Sequence, residues 1–177
     1  MRIIQPPRSG DYPAYADIYM KLLPADGLIL KYLQNNFYRV KELIYSLPEE
    51  KLLYRYALGK WSIKEVLVHI IDDERIFAYR ALRFARNEQN GLIGFDQDSY
   101  VNYSGADKRE LDSIFDEYEA VRKSTIALFN GLPEDAFDRM GHGTGSANDA
   151  TVRALAYHIA GHELHHYNII KERYLKV

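Results

Sequence analysis

Between Asp26 and Leu47 the chain places an apolar residue every three or four positions, at 29, 33, 37, 40, 44 and 47, with Lys, Asn, Arg and Glu in the gaps. That step puts one apolar stripe on a helix of 3.6 residues per turn. Asp26 offers an N-cap and Pro48 a stop, so the spacing predicts the first long helix there. The second opens at Ser62, because Glu65 three residues on completes a capping box. It continues without Pro or Gly through "IKEVLVHIIDDERIFAYRALRFAR", with Ile63, Val66, Ile70, Phe77, Ala81 and Phe84 as its buried stripe. A third starts near Asp107 and carries Leu111, Ile114, Tyr118, Val121, Thr125, Leu128 and Leu132 at bundle-seam spacing before Pro133 ends it. The fourth runs from about Thr151 to Tyr174.

The intervals are less regular. "PPRSGDYPAY" reads as an ordered N-terminal arm, and "PEEKLLYRYALGK" as a helical turn followed by an extended lead-in. Residues 87–106 form a long loop, of a length more often functional than accidental in a compact domain. "DRMGHGTGSAND" is a second, Gly-rich loop, without the Gly-Lys-Ser/Thr ending of a phosphate-binding loop. No segment alternates like a strand. The pattern predicts an all-α fold, a four-helix bundle over residues 1–177 as a single domain, with short extra helical turns.

Composition narrows the chemistry. A net charge of −2 gives no electrostatic footprint for nucleic acid. No apolar run reaches the length of a membrane span, and the N-terminus does not read as a signal peptide, so a cytoplasmic location is expected. The absence of cysteine excludes disulfides, thiolate nucleophiles and thiolate metal ligands. Any metal must rest on His and carboxylates.

"GHELHH", residues 161–166, satisfies the H-E-x-x-H pattern of zinc proteases, in which two His chelate the metal and the Glu is the base. Its extended form fails, since Ile169 and Glu172 stand where Gly and a third His are required, and only "YNIIKERYLKV" follows. The protease reading is therefore disfavoured. The chelate itself survives, because His162 and His166 lie one turn apart on one helix face. His158 is a turn earlier on that face, whereas His165 points about a hundred degrees away. Elsewhere, His69 lies on a polar seam with Glu65 and Asp73 at i, i+4 spacing, and is either a hydrogen-bonded core histidine or a third ligand on a facing helix. Three converging imidazoles would leave an open coordination position. His142, in the Gly-rich loop, is not expected to ligate.

Three stretches, "GKWSIKEVLVHIIDDERIFAYRALRFAR", "GFDQDSY" and "VRALAYHIAGHELHHYNIIKERYL", resemble the DinB-like (YfiT-type) superfamily in order and spacing, over the chain from about residue 10 to its end. The resemblance implies an up-down-down-up bundle whose divalent metal, nickel or zinc ahead of iron or manganese, is held by His69, His162 and His166. It also implies a homodimer and a small-molecule substrate, including low-molecular-weight thiols such as bacillithiol. Two readings follow: a metal-dependent transferase or hydrolase, or a non-catalytic bundle with a structural metal and a stress-response or binding role. Around the metal, Glu163 and Asp73 are the candidate catalytic residues, with Glu65 and Asp73 placed to orient an imidazole. Arg80 continues the seam toward a carboxylate substrate, while Arg75, Arg83 and Arg86 face solvent. Asp96 and Tyr100 are expected either to cap the site or to serve as turn residues.

Overall fold

The Ser62 side chain accepts from the Glu65 backbone N–H, and the Glu65 carboxylate accepts from that of Ser62, at 3.1 and 2.8 Å. This capping box, worth about 1 kcal/mol, starts the helix that carries His69. In the computed structural model, residues 1–144 and 148–175 are described; the middle of the Gly-rich loop (145–147) and residues 176–177 lie outside them. The bundle helices are α2 (Ile29–Tyr45), α4 (Ile63–Ala85), α6 (Leu111–Gly131) and α7 (Val152–Ile169), the last continued by a π-helical turn, Ile170–Tyr174. Short helices α1 (Asp17–Met20), α3 (Glu49–Leu52) and α5 (Gln97–Tyr103) lie in the connections.

Contacts along the helices give their directions. On α4, Lys64 reaches the Arg109 carbonyl and Glu74 pairs with Arg122, so α4 and α6 run parallel. His69 meets His162 while Phe77 stacks on His158, so α7 runs antiparallel to α4. Tyr45 bonds Asp112 and Leu33 bonds Arg122, which makes α2 antiparallel to α6. The result is the up-down-down-up order. Because α4 and α6 are parallel, residues 86–110 must return along the bundle. The core has two parts: one packs Leu30, Leu33, Phe84, Phe129, Leu155 and Ile159, the other Phe37, Ile44, Leu67, Ile114, Phe115 and Tyr118. Among the described residues no helix is long and apolar enough to cross a membrane.

Several boundaries differ from expectation. Asp26 is not the cap of α2; its carboxylate accepts from the Leu28 N–H at 3.0 Å and from Tyr32, pinning the turn before the helix, whose N-cap is Leu28. A 3₁₀ turn, Ala106–Lys108, precedes α6, which starts at Leu111 rather than near Asp107, because Asp107 is held by Ser62 and Arg55. The expected long loop contains α5 and a strand, β1 (Leu92–Ile93). β2 (Met140–Gly141) pairs antiparallel with β4 (Ala150–Thr151), and β1 pairs parallel with β3 (Gly143–Thr144). Two-residue strands are too short for alternation to reveal.

One close approach positions the site. A Cβ on Gly161 would lie 2.6 Å from the Tyr19 carbonyl oxygen, so only glycine lets α1 cross α7 this tightly. The N-terminal arm is thereby packed against the histidine face of α7.

Candidate metal centre

His69 from α4 and His162 and His166 from α7 converge. The Nε2 atoms of His69 and His162 are 3.0 Å apart, those of His162 and His166 3.1 Å, and the three ligand atoms lie within 4.8 Å of one another. Two nitrogens each about 2.0–2.1 Å from one tetrahedral ion are separated by about 3.3 Å, so two of the three spacings already match a shared ion. Burial favours the neutral form of all three rings and lowers their pKa values; for His162 the neighbouring His166 and His69 lower it further. Neutral imidazoles are the ligating form. The donor set, all nitrogen and no thiolate, suits zinc, nickel or iron.

The surroundings hold the rings in place. Asp73 Oδ2 lies 3.3 Å from His162 Nδ1 and 3.4 Å from His158 Nε2. A carboxylate behind a ligating imidazole fixes its orientation and raises its basicity. His158 stacks on Phe77 with ring centroids 3.7 Å apart and sits beside Asp73, behind the triad. Trp61 stands 4.7 Å from His69 and is nearly parallel to His166, while Tyr19 places its ring edge-on to His158, His162 and His165. Burial, with Asp73 nearby, pushes the Tyr19 hydroxyl up to about 12, so it remains a proton donor.

Two clefts adjoin the triad. One, of about 160 Å³, is lined by His162, Asp73, Arg80, Tyr15, Tyr19 and Phe95. The other, of about 290 Å³, is lined by His166, Trp61, Tyr56, Lys60 and Asp98. Gln97, at the start of α5, borders both.

The remaining sequence candidates fall elsewhere. Glu163 is fully buried; its Oε1 accepts from Arg122 at 2.9 Å and from Tyr118, and it lines neither cleft. Its rotation of about a hundred degrees from His162 turns it to α6. Glu65 serves the capping box and Arg55 rather than His69. Asp96 is the N-cap of α5, accepting from Asp98 and Ser99, and Tyr100 packs on Phe95. His142 is exposed and 3.1 Å from Asp149. Arg75 pairs with Glu117 and Arg83 with Glu88, as surface residues do. Tyr19, Trp61 and Gln97 do not stand out in the sequence. Trp61 is the chain's one tryptophan and directly precedes the capping box, a signal that could have marked it.

A four-helix bundle with a three-histidine cluster between two antiparallel helices defines a helical protein with a candidate divalent-metal site. Residues 32–170 match the DinB superfamily, and the chain belongs to that superfamily. It is 26% identical over 144 residues to an Oceanobacillus iheyensis protein provisionally named a metal-dependent hydrolase, covering 80% of this chain and 81% of the relative. Its fold matches YfiT from Bacillus subtilis, described as a probable metal-dependent hydrolase with an unusual four-helix bundle topology, with a TM-score of 0.75 at 16% identity, over 94% of this chain and 89% of that one.

Proposed function

We propose that this protein is a divalent-metal-dependent hydrolase of small molecules, with His69, His162 and His166 as its ligands. The observation that carries the reading is the convergence of three Nε2 atoms, from buried His69 and His162 and half-buried His166, next to open clefts. A divalent ion held there, zinc or nickel ahead of iron or manganese, supplies a Lewis acid that lowers the pKa of a bound water or thiol.

The chain's own residues divide the work. The three imidazoles, kept neutral by burial, present their Nε2 lone pairs without first shedding protons. Asp73 acts as a positioning residue for His162 and His158. Trp61 and Tyr19 wall the rings and limit water to the clefts. Glu163 is assigned to the bundle's buried ion cluster instead of to proton transfer. Hydrolysis is preferred to thiol transfer because both named relatives carry hydrolase descriptions.

The test is elemental analysis of tag-free protein, native beside His69→Ala, followed by ester, amide and thioester hydrolysis screens with a thiol-transfer assay alongside. We expect near one divalent ion per chain, lost in the variant, and hydrolysis abolished by chelation and restored by zinc or nickel. Equal metal in both proteins would remove His69 from the ligand set. Metal-dependent thiol transfer with no hydrolysis would replace the reaction while keeping the site.

A further inference from the structure

Arg80 is 7% exposed, so little of its side chain meets water. A buried cation is normally paired with a carboxylate, because desolvation is otherwise uncompensated. Arg80 has no such partner within ion-pair distance among the described residues. Its Nη2 donates to the Asn148 carbonyl oxygen at 2.6 Å, and its Nε has no partner. Phe77 and Phe84 flank it, with ring centroids 5.1 and 5.8 Å from the guanidinium carbon. The other buried arginines are answered differently: Arg122 is paired with Glu74 and Glu163, and Arg153 with Asp138.

The unanswered charge lines the same cleft as His162. Among the described residues, Asp73 is the sole carboxylate on that cleft's walls, and its Oδ2 lies beside His158 and His162. Arg80 and Asp73 are seven positions, or two turns, apart on α4, about 10 Å of helix rise. The guanidinium and His162 thus line one cleft, with aromatic walls supplied by Phe77, Phe95 and Tyr15.

We infer that Arg80 is the substrate-recognition residue of this cleft, and that the substrate is a small monocarboxylate whose anionic end binds Arg80 while its reacting end faces His162. The second half of this statement rests on the hydrolase reading; the first does not. A guanidinium offers five N–H donors in a fork that matches a carboxylate bidentately. A phosphate dianion fits less well, because no second Arg or Lys among the described residues lines the cleft. Apolar walls around one cation strengthen the pairing and select against a neutral analogue, which would leave the guanidinium uncompensated.

The experiment uses full-length, tag-free protein, zinc-loaded and separately metal-stripped, titrated with phenylacetate and with its neutral isostere phenylacetamide by calorimetry. Zinc stoichiometry and circular dichroism are recorded for every variant. We expect phenylacetate to bind at least about tenfold more tightly than the amide, the step that 1.4 kcal/mol represents, in both metal states. Arg80→Met should bring the two probes within about twofold while zinc content and helicity are retained. Arg80→Lys, which keeps the charge but loses the fork, should fall between, and it carries the comparison if the Met variant does not fold. Equal binding of the two probes to wild type overturns the inference. So does a preference that survives Arg80→Met, which would leave Arg80 as an anchor for the Asn148 loop. A preference seen only with zinc bound would assign the carboxylate to the metal and likewise refute it. Since the metal-stripped arm needs no catalysis, failure here is distinguishable from failure of the hydrolase reading.

Discussion

Replacing Arg122 with Met should destabilise the fold severely while leaving the three clustered histidines in place. The guanidinium is 3% exposed and holds two carboxylates, Glu74 at 1% and Glu163 at 0%. Its Nε donates to Glu74 at 3.0 and 3.1 Å, and its Nη2 to Glu74 at 2.8 Å and to Glu163 at 2.9 Å; Nη1 reaches the Leu33 carbonyl. One side chain thus joins α6 to α4, α7 and α2. Burial works against its charge, but Glu163 and Glu74 more than offset this and hold its pKa well above the ordinary range. Met fills the stem's volume but leaves two buried carboxylates unanswered. Breaking a buried pair from one side costs about 3–5 kcal/mol. For a chain of this size each kcal/mol lowers Tm by about 2–4 °C, giving a drop of about 6–20 °C. The deficit should also depend on pH. Burial already raises the Glu163 pKa, so the folded state binds more protons than the unfolded one, and stability falls as pH rises through the carboxylate range. Removing Arg122 widens that window, so the variant's deficit should be larger at pH 7 than at pH 5. Thermal and urea melts followed by circular dichroism at both pH values measure it. Adding Glu74→Gln and Glu163→Gln should recover a large part of the loss. A deficit under about 1 kcal/mol, or one indifferent to pH, would refute the view that this cluster is a charge-balanced unit.

Other expectations are as direct. In metal-free protein, stability should decline as pH falls below about 6.5, because burial lowers the pKa values of His69, His162 and His166 and the unfolded chain takes up protons first; saturating zinc should raise Tm at neutral pH and carry the decline to lower pH in pH-dependent melts, because an ion on the imidazoles keeps the folded state unprotonated there. Gly161→Ala sets a methyl against the Tyr19 backbone and should destabilise by about 1–3 kcal/mol, with altered zinc affinity if α1 lifts from α7, as calorimetry would show. Because Trp61 is the chain's one tryptophan and lies 4.7 Å from His69, nickel should quench its emission in a saturable titration. That signal should vanish in His162→Ala; unchanged quenching would place nickel elsewhere.

The bundle is legible in the sequence where periodicity and local chemistry agree. The apolar steps of α2 and the Ser62–Glu65 capping box mark elements whose boundaries depend on neighbours within a turn or two. α7 is different. Residues 152–163 are all buried, so this helix has little amphipathic contrast, and its length, Thr151 and its histidine spacing are what reveal it. Two members of the triad are readable because an i, i+4 pair is local, whereas assigning His69 as the third requires the family resemblance. Asp73 is visible as a neighbour on the same seam. The contributions of Tyr19 and Gln97 are hidden, because one depends on a backbone crossing that Gly161 permits and the other on how residues 86–110 return over the bundle. Glu163 suggests protease chemistry by its place in a motif, but its hydrogen-bond partners lie on α6. It meets Arg122 and Tyr118 across a helix interface that no short pattern records.

The parallel run of α4 and α6 has a consequence for how such a molecule diversifies. Two parallel helices cannot be joined by a tight turn, so the chain must carry a long overpass, and here that overpass supplies Phe95, Gln97 and Asp98 to the cleft walls. The three clustered histidines stand on helices elsewhere. Insertions or substitutions in the overpass can therefore retune what enters the clefts without moving the clustered imidazoles, which separates the inheritance of the histidine cluster from the inheritance of the cleft walls.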